Sequence, residues 1–254
     1  MGEYSEEKSC HWEPLGQGHH ILVTEEHGFT TDTLLLADFS LPRFGEHCAD
    51  FGTGCGTIPL LWCMRGHPHS VLAVELQEDA VRLVKRSAEE NGFSEILQVA
   101  QGDVRNYKEF LPHQGFHLIA CNPPYFPLHS GALGDGARKT ARHEESLTLP
   151  DLAAAARYSL RYGGRLCVCL PGERLAEAME VFRGQELEPK RLRLVQSAPG
   201  KPPYLFLLEC RRGGKPGVNI EPVLLVTDGS GEFTMEMKKI YGEYEQNPER
   251  EERR

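Results

Sequence analysis

Asp50-Phe51-Gly52-Thr53-Gly54-Cys55-Gly56 is the stretch that decides the fold of this chain. It follows a short apolar run at residues 47–51 and precedes a helical pattern at residues 57–65, so it predicts a tight turn between a strand and a helix. Glycine has no Cβ, which lets the backbone pass close beneath a bound molecule. The G-x-G-x-G spacing lacks the third glycine of a dinucleotide fingerprint and the lysine of a triphosphate loop. The turn therefore favours neither a pyrophosphate nor a triphosphate, but a ligand whose carboxylate faces the helix N-terminus.

Strand and helix patterns alternate after this turn. Such alternation indicates βαβ units and a mostly parallel sheet. We expect strands at residues 47–51, 71–75, 96–100, 116–121, 165–170, 192–195 and 205–209, and helices at residues 57–65, 79–91, 150–161 and 172–183. The last two strands are expected to form an antiparallel pair. The predicted fold is therefore α/β and Rossmann-like, with a seven-stranded, mostly parallel sheet, one antiparallel strand and helices on both faces.

The two ends of the chain are more polar than its middle. We expect a polar N-terminal segment at residues 1–20, one domain at residues 21–242 and a disordered charged tail at residues 243–254. A length of 254 residues suits one α/β domain. The chain has no apolar run of about 18 residues and its acidic N-terminus excludes a secretory signal, so we expect a cytoplasmic protein without a membrane span.

The charge of the chain limits its partners. A net charge of -9 and a pI of about 5.7 argue against sequence-blind binding to nucleic acid. Residues 189–217 nevertheless hold seven basic residues and one acidic residue, a local net charge of +6. These cations could form a solvated face or bind a polyanion locally. The expected substrate contacts, which include a second basic group, are Arg138, Lys139, Arg142, Lys190, Arg191 and Lys201.

Eight cysteines occur without a C-x-x-C pair and without a histidine spaced to complete a zinc site. Several lie in apolar runs such as residues 166–170, where a thiol acts as a small buried side chain. We therefore expect reduced, packed thiols and no metal site. Whether Cys55 in the glycine turn does more than pack stays open.

Two acidic residues follow the next two predicted strands. Glu75 ends the strand at residues 71–75, and Asp103 follows the strand at residues 96–100. Ligands of such sheets bind at the carboxyl ends of the strands, where a carboxylate accepts the hydroxyls of a ribose. Glu75 is the expected ribose acceptor, and Asp103 is the expected acceptor for an adenine amine. Any α/β protein can end a strand in an acid, but these two together with Asp50 favour a nucleoside site.

The tetrapeptide Asn122-Pro123-Pro124-Tyr125 directly follows the strand at residues 116–121. Two consecutive prolines hold a stiff corner because they fix φ. By itself the segment could be a simple turn with a half-buried aromatic ring. After the fourth strand of a nucleoside-binding sheet it predicts a site for a planar nitrogen. The side-chain oxygen of Asn122 and the carbonyl of Pro123 would accept its two N–H bonds, and Tyr125 would stack on its plane.

These motifs carry a resemblance to a known family. The glycine turn and the tetrapeptide together resemble class I S-adenosylmethionine-dependent methyltransferases of the N6-adenine and N5-glutamine type. Five further segments resemble the bacterial tRNA1(Val) adenine-37 N6-methyltransferase family, and they lie at residues 29–39, 141–144, 189–193, 200–202 and 213–217. The resemblance covers roughly residues 15–242.

The resemblance implies the cofactor, the activity and the site. The cofactor would be S-adenosylmethionine, and the substrate an adenine of tRNA, with position 37 of a valine tRNA as the expected target. Asn122, Pro123, Pro124 and Tyr125 would form the catalytic site. The implied cofactor contacts are Thr31, Asp32, Asp50, Gly52, Thr53, Gly54, Gly56, Glu75, Leu76, Asp103, Val104 and Asn122. We expect no metal, and a monomer.

Three alternatives remain at this point. The first is methylation of a glutamine in a translation release factor, whose enzymes carry a helical N-terminal domain. Only about 45 residues precede the first predicted strand here, which is too few for such a domain. The second is N6 methylation of an adenine in ribosomal RNA. The third is a cofactor-binding interaction module without activity, against which the intact tetrapeptide argues.

Overall fold

The computed structural model describes residues 10–123 and 147–242. The described chain begins with a hairpin of β1 (Cys10–Gly16) and β2 (His19–Thr24), which pair antiparallel. Gly16, Gln17 and Gly18 between them have φ angles of 93°, 53° and 78°, so the glycines relieve strain in this tight turn. The sequence patterns did not predict the hairpin, because β1 mixes polar and apolar residues without a clear alternation and β2 has only a short apolar run at residues 21–23.

The remaining elements follow in chain order. They are α1 (Thr31–Phe39), β3 (His47–Phe51), α2 (Thr57–Arg65), β4 (Ser70–Glu75), α3 (Glu78–Glu90), β5 (Leu97–Gln101), β6 (Phe116–Cys121), α4 (Leu149–Ser159), β7 (Leu160–Pro171), α5 (Leu175–Gly184), β8 (Leu187–Gln196), β9 (Pro203–Arg212), β10 (Asn219–Ile220), β11 (Leu224–Leu225) and α6 (Met235–Ile240). Short 3-10 helices lie at Val104–Glu109 and Gly172–Arg174.

The described strands from β3 onward form one sheet in the order β10-β8-β9-β7-β6-β3-β4-β5, with β11 also paired to β8. β9 runs antiparallel to β7 and β8, and the other pairs are parallel. The predicted Rossmann-like class I fold with one antiparallel strand is thereby confirmed. The predicted count of seven strands is wrong, since residues 10–123 and 147–242 alone contribute nine strands to the sheet. The two extra strands have two residues each, too few to show a periodic pattern.

Helices cover both faces of this sheet, as predicted. α1, α2, α3 and α6 pack with the hairpin on one face, and α4 and α5 pack on the other. Neighbouring residues of β3 alternate between the two cores, with Cys48 in the first core and Ala49 in the second. Among the described residues, no helix combines the length and the apolar character needed to cross a membrane. Residues 1–9 and the predicted tail at residues 243–254 lie outside the described residues.

A buried network of charges joins the middle of the sheet to its outer strands. Arg165 on β7 places Nη2 2.6 Å from Glu46 and Nη1 3.7 Å from Glu209. Arg191 on β8 lies 3.2 Å from the same oxygen of Glu209 and 2.9 Å from Glu221. Arg165 and Glu209 are only 5% and 6% exposed. Their charges are therefore shielded from water and depend on one another for stabilisation.

Candidate active site

Four parallel strands, β6, β3, β4 and β5, end at the same edge of the sheet. A cavity of about 320 Å³ opens there. Predicted site residues line part of it, namely Gly52, Glu75, Leu76, Asp103, Val104 and Asn122. It is also lined by residues that the sequence analysis did not single out, namely Val74, Gln77, Gly102 and Leu147. The first three are neighbours of predicted residues, whereas Leu147 carries no sequence signal.

The glycines of the turn have two different roles. Gly52 and Gly54 have φ angles of 72° and 58°, and a Cβ added at either would meet no atom within 4 Å. They leave open space beside the backbone that a ligand can fill. At Gly56, with φ of 91°, a Cβ would lie 2.9 Å from the Cγ1 atom of Val84 on α3. Gly56 is thus explained by the close packing of the turn on α3, and its predicted cofactor contact stays a prediction.

Glu75 at the end of β4 holds the turn in place. Its Oε2 atom accepts a hydrogen bond of 2.9 Å from the Gly54 N–H. Its Oε1 atom accepts the N–H groups of Leu76 and Gln77 at 2.8 and 3.0 Å. A carboxylate has about four acceptor positions, so Glu75 can still take a ribose hydroxyl while it supports the turn.

Asp50 near the end of β3 is a buried carboxyl without a hydrogen-bond partner among the described residues. It is 1% exposed, and neither carboxyl oxygen meets a hydrogen-bond donor at normal geometry among the described residues. Burial raises the pKa of the Asp50 carboxyl to about 7; the neighbouring Thr53 side chain lowers this pKa in part, and the nearby charge of Glu75 adds to the rise. An unpaired buried acid is costly unless a ligand supplies a donor or a positive charge.

Asp103 caps the 3-10 helix at Val104–Glu109 and binds Arg105. Its Oδ1 atom accepts the Arg105 backbone N–H at 2.9 Å, and the guanidinium Nη2 lies 2.6 Å from Oδ2. These side-chain hydrogen bonds from Arg105 lower the pKa of Asp103. The carboxylate therefore stays charged beside the cavity. Arg105 contacts both of its oxygens, so an adenine amine would have to share an oxygen with Arg105.

Asn122 follows β6 and is half-buried at the cavity wall, with Pro123 buried behind it. The Asn122 Nδ2 atom donates to the hydroxyl of Thr33 on α1 at 3.3 Å. Thr33 was not singled out from the sequence, because α1 and β6 are distant along the chain. Pro124 and Tyr125 lie outside the described residues, and their predicted roles stay predictions.

The predicted residues of α1 lie beside this site. The hydroxyl of Thr31 is 2.8 Å from the hydroxyl of Tyr241, which follows α6. Asp32 lies in the first turn of α1. Burial first, and then the charge of Asp32, raise the pKa of Tyr204 to about 12. Thr31 and Asp32 do not line the cavity, so their contact with a cofactor stays a prediction.

The basic residues predicted to bind the substrate differ in their contacts and exposure. Lys190 Nζ donates to the carbonyls of Lys215 and Gly217 at 3.0 and 2.6 Å. Arg191 belongs to the buried charge network and lies 4.0 Å above the ring of Phe39. Lys201 is exposed in the turn between β8 and β9. Arg138, Lys139 and Arg142 lie outside the described residues.

The described residues offer no candidate metal site, and no cysteine is among the residues that line the cavity. In residues 10–123 and 147–242, no group of three or more histidine, cysteine or acidic side chains could hold a metal ion. Cys10 is exposed and the other cysteines are buried. Burial raises the pKa of Cys55, whose Sγ atom lies 3.4 Å from the Thr57 hydroxyl. Cys55 is thus a packed thiol beneath the turn.

Comparison with known proteins identifies the family. The methyltransferase small domain family matches residues 29–179. A Porphyromonas gingivalis protein named tRNA1(Val) (adenine(37)-N6)-methyltransferase is 34% identical over 170 residues, which are 65% of this chain and 66% of that protein. A Tolumonas auensis protein of the same name is 32% identical over 218 residues, 84% of this chain and 88% of that protein. The chain belongs to the methyltransferase small domain family.

Membership in the family confirms the resemblance found in the sequence. The alignment spans just under two thirds of the Porphyromonas relative, at 66%, and most of the Tolumonas relative. The structure of a predicted O-methyltransferase from Agrobacterium tumefaciens has a TM-score of 0.67 and 22% identity, and covers 83% of this chain and 95% of that chain. That likeness supports the fold alone.

The residues at the cavity fit the methyl donor of such enzymes, S-adenosylmethionine. The open side of Gly52 and Gly54 leaves space for it, and Glu75 can accept one of its ribose hydroxyls. Asp50 is 1% exposed and does not itself line the cavity, so its predicted contact with the positively charged amino group of the donor stays a prediction. The family and the residues at the cavity support the predicted cofactor, S-adenosylmethionine.

Replacement of Asp50 by asparagine is expected to change stability and cofactor binding in opposite directions. The folded protein raises the pKa of Asp50 from 3.8 to about 7, so the ionised carboxyl destabilises the unliganded fold. This penalty is absent below about pH 4 and grows until the pH passes about 7. Asp50→Asn should therefore raise the free energy of unfolding by roughly 4 kcal/mol at pH 8, and by less than half as much at pH 5. The affinity for S-adenosylmethionine should fall.

Urea unfolding at both pH values and calorimetric titration with the cofactor measure these effects. Glu89→Gln is the matched control, since Glu89 is exposed on α3 and should change neither quantity. A loss of stability at pH 8 in Asp50→Asn would mean that the charged carboxylate supports the fold.

Proposed function

We propose that this protein transfers a methyl group from S-adenosylmethionine to the N6 amine of an adenine in tRNA, at position 37 of a valine tRNA. The observation that carries the proposal is the placement of Asn122, half-buried at the wall of the acid-lined cavity. The names of the relatives from Porphyromonas and Tolumonas support the choice of nucleotide. We propose further that the enzyme acts in the cytoplasm as a monomer.

The cofactor would lie along the carboxyl ends of β3, β4 and β5. Glu75 would bind its ribose, Asp103 its adenine amine and Asp50 its amino group. S-adenosylmethionine supplies a methyl group activated by the positive charge on sulfur. The chain does not need a strong base for this reaction, because positioning of the acceptor is the main requirement.

Asn122 and Pro123 would prepare the acceptor nitrogen. The lone pair of an adenine amine is delocalised into the ring, so the nitrogen is a poor nucleophile. Two acceptors, the side-chain oxygen of Asn122 and the carbonyl oxygen of Pro123, would take its two N–H bonds and favour a pyramidal nitrogen. The buried Pro123 holds that carbonyl at a stiff corner after β6. Tyr125 would stack on the base.

The alternatives from the sequence are less favoured. A release-factor glutamine presents a similar planar nitrogen, and an adenine of ribosomal RNA presents the same amine. The relatives aligned above carry the tRNA adenine name. The relatives therefore favour tRNA over both.

A labelling experiment separates the candidate substrates. The protein and radiolabelled S-adenosylmethionine are incubated separately with bulk tRNA, ribosomal RNA and release factor. We expect label in tRNA, and in a valine tRNA transcript, but not in the same transcript with guanine at position 37. Label confined to the release factor or to ribosomal RNA would overturn the proposal. Label in the valine tRNA transcript that carries guanine at position 37 would overturn the assignment of position 37 as the target.

Of the three predicted substrate cations that the structure describes, Lys201 is best placed for RNA. It lies in the turn after β8, at the same sheet edge as Asn122, and its side chain is exposed. Lys201→Ala should weaken tRNA binding about twofold to fivefold and reduce the slope of log affinity against log salt by about one. Filter binding over a salt series measures both. Lys85→Ala, on the exposed face of α3, is the control that should leave the slope unchanged.

A further inference from the structure

The side chain of Thr33 on α1 contacts Asn122, the residue proposed to bind the methyl-accepting nitrogen. The Thr33 hydroxyl lies 3.3 Å from Asn122 Nδ2, and the contact joins residues that are 89 positions apart. An asparagine side chain has an acceptor end and a donor end, so its orientation decides which of them a substrate meets. We infer that Thr33 is a positioning residue that turns the Asn122 amide so that its oxygen faces the acceptor nitrogen. This inference rests on the proposed function.

The orientation matters because the two ends of the amide have opposite effects on an amine. With the oxygen towards the substrate, Asn122 accepts an N–H and leaves the nitrogen lone pair available for the methyl group. With the amide turned over, its NH2 group would face the amine, and the two donors would repel each other. The reversed side chain could donate only to the lone pair that has to attack. A reversed Asn122 would therefore bind the base poorly or inhibit its methylation.

Thr33 can hold the correct orientation only if its oxygen accepts. A hydroxyl can donate one proton and accept two, so the proton of Thr33 must be directed elsewhere. The Thr30 hydroxyl lies 3.4 Å from the Thr33 hydroxyl and can take that proton. The Thr33 oxygen then presents lone pairs to Asn122 Nδ2. The Thr30 hydroxyl at the start of α1 therefore offers an acceptor that permits the direction of hydrogen bonding required by the inference.

The packing of α1 keeps Thr33 in position. Leu34, Leu35 and Leu36 directly after it are at most 6% exposed. The Thr33 backbone N–H donates to the Thr30 carbonyl at 3.1 Å, which fixes the first turn. Thr33 is also β-branched, so the helix restricts its χ1 angle to few rotamers. The hydroxyl is therefore held by the fold and does not depend on a bound substrate.

Kinetics of two substitutions test the inference. Thr33→Val keeps the shape and the β-branch but removes the hydroxyl, and it should lower kcat about tenfold to a hundredfold. The KM for tRNA should change by less than kcat does, because most of the tRNA lies away from Asn122. The cofactor Kd should stay within about twofold of wild type, and the melting temperature should fall only slightly, because the fold loses one partly buried hydrogen bond. Thr33→Ser restores the hydroxyl and should recover kcat to within about fivefold. An unchanged kcat in Thr33→Val, or no recovery in Thr33→Ser, would overturn the inference.

A second measurement does not depend on the acceptor. In protein labelled with ¹⁵N-asparagine, the side-chain amide signal of Asn122 is assigned by its loss in Asn122→Ala. We expect nuclear Overhauser contacts from its NH2 protons to the Thr33 side chain in wild type, and a changed NH2 shift in Thr33→Val. Absence of those contacts would overturn the inference even if tRNA is methylated. If wild type methylates no tRNA but the contacts are present, the proposed substrate fails and the orientation stands.

Discussion

Asn122→Ala is expected to lower kcat for tRNA methylation by about a hundredfold to a thousandfold, the size of effect seen when one oriented polar group is removed from a reacting centre. The side chain supplies one of the two acceptors for the amine, and that interaction strengthens as the nitrogen becomes pyramidal. Its loss should therefore appear mainly in kcat. The cofactor Kd should change by no more than about threefold, because Asn122 lines only one wall of the cavity.

Single-turnover methylation and calorimetric binding of S-adenosylmethionine measure the two quantities separately. Asn219→Ala is the matched control, because Asn219 is exposed on β10 at the far edge of the sheet. It should methylate at the wild-type rate. Full activity in Asn122→Ala would exclude the proposed role of this side chain, whatever its effect on cofactor binding.

Arg165→Met is expected to reduce the free energy of unfolding by about 3–5 kcal/mol. The change leaves Glu46 without its contact at 2.6 Å and Glu209 with Arg191 as its remaining partner in the network. Glu209 is 6% exposed, so water cannot replace the lost charge. An unpaired buried carboxylate is strongly destabilising, whereas the intact network need not be especially stabilising.

Urea unfolding of three variants separates the loss of the buried Arg165 contacts from the loss of an exposed ion pair. The variants are Arg165→Met, Arg82→Met and a double variant. Arg82→Met removes exposed pairs with Glu78 and Asp79 on α3 and should cost less than about 1 kcal/mol. The double variant Arg165→Met with Glu46→Gln should recover part of the lost stability, because it removes the negative charge of Glu46 that has lost its contact with Arg165. Equal effects of Arg165→Met and Arg82→Met would contradict the interpretation of the network as buried.

Much of the fold follows from local patterns in the sequence. The strands around the glycine turn are apolar runs, and their length and flanking turn residues predict them without knowledge of the strands they pair with. The helix α2 lies at Thr57–Arg65, as predicted. The ends of a strand differ from the prediction where pairing with a neighbouring strand determines its length. β7 starts at Leu160, five residues before its predicted start, because Leu160 pairs with Phe116 across the sheet. β10 and β11 exist as strands because β8 offers them an open edge.

The sequence by itself determined the glycine turn, the acids at the ends of β4 and after β5, and the asparagine after β6. These residues follow strand ends, and parallel strands bring such positions to one edge of a sheet. Only the tertiary structure decided which side chains act on them. It placed Thr33 beside Asn122, buried Asp50 without a partner among the described residues, and brought carboxylates to Arg191 in a stretch that looked basic. The physical reason is that hydrogen bonds, ion pairs and burial depend on neighbours in space, which the local sequence pattern does not contain.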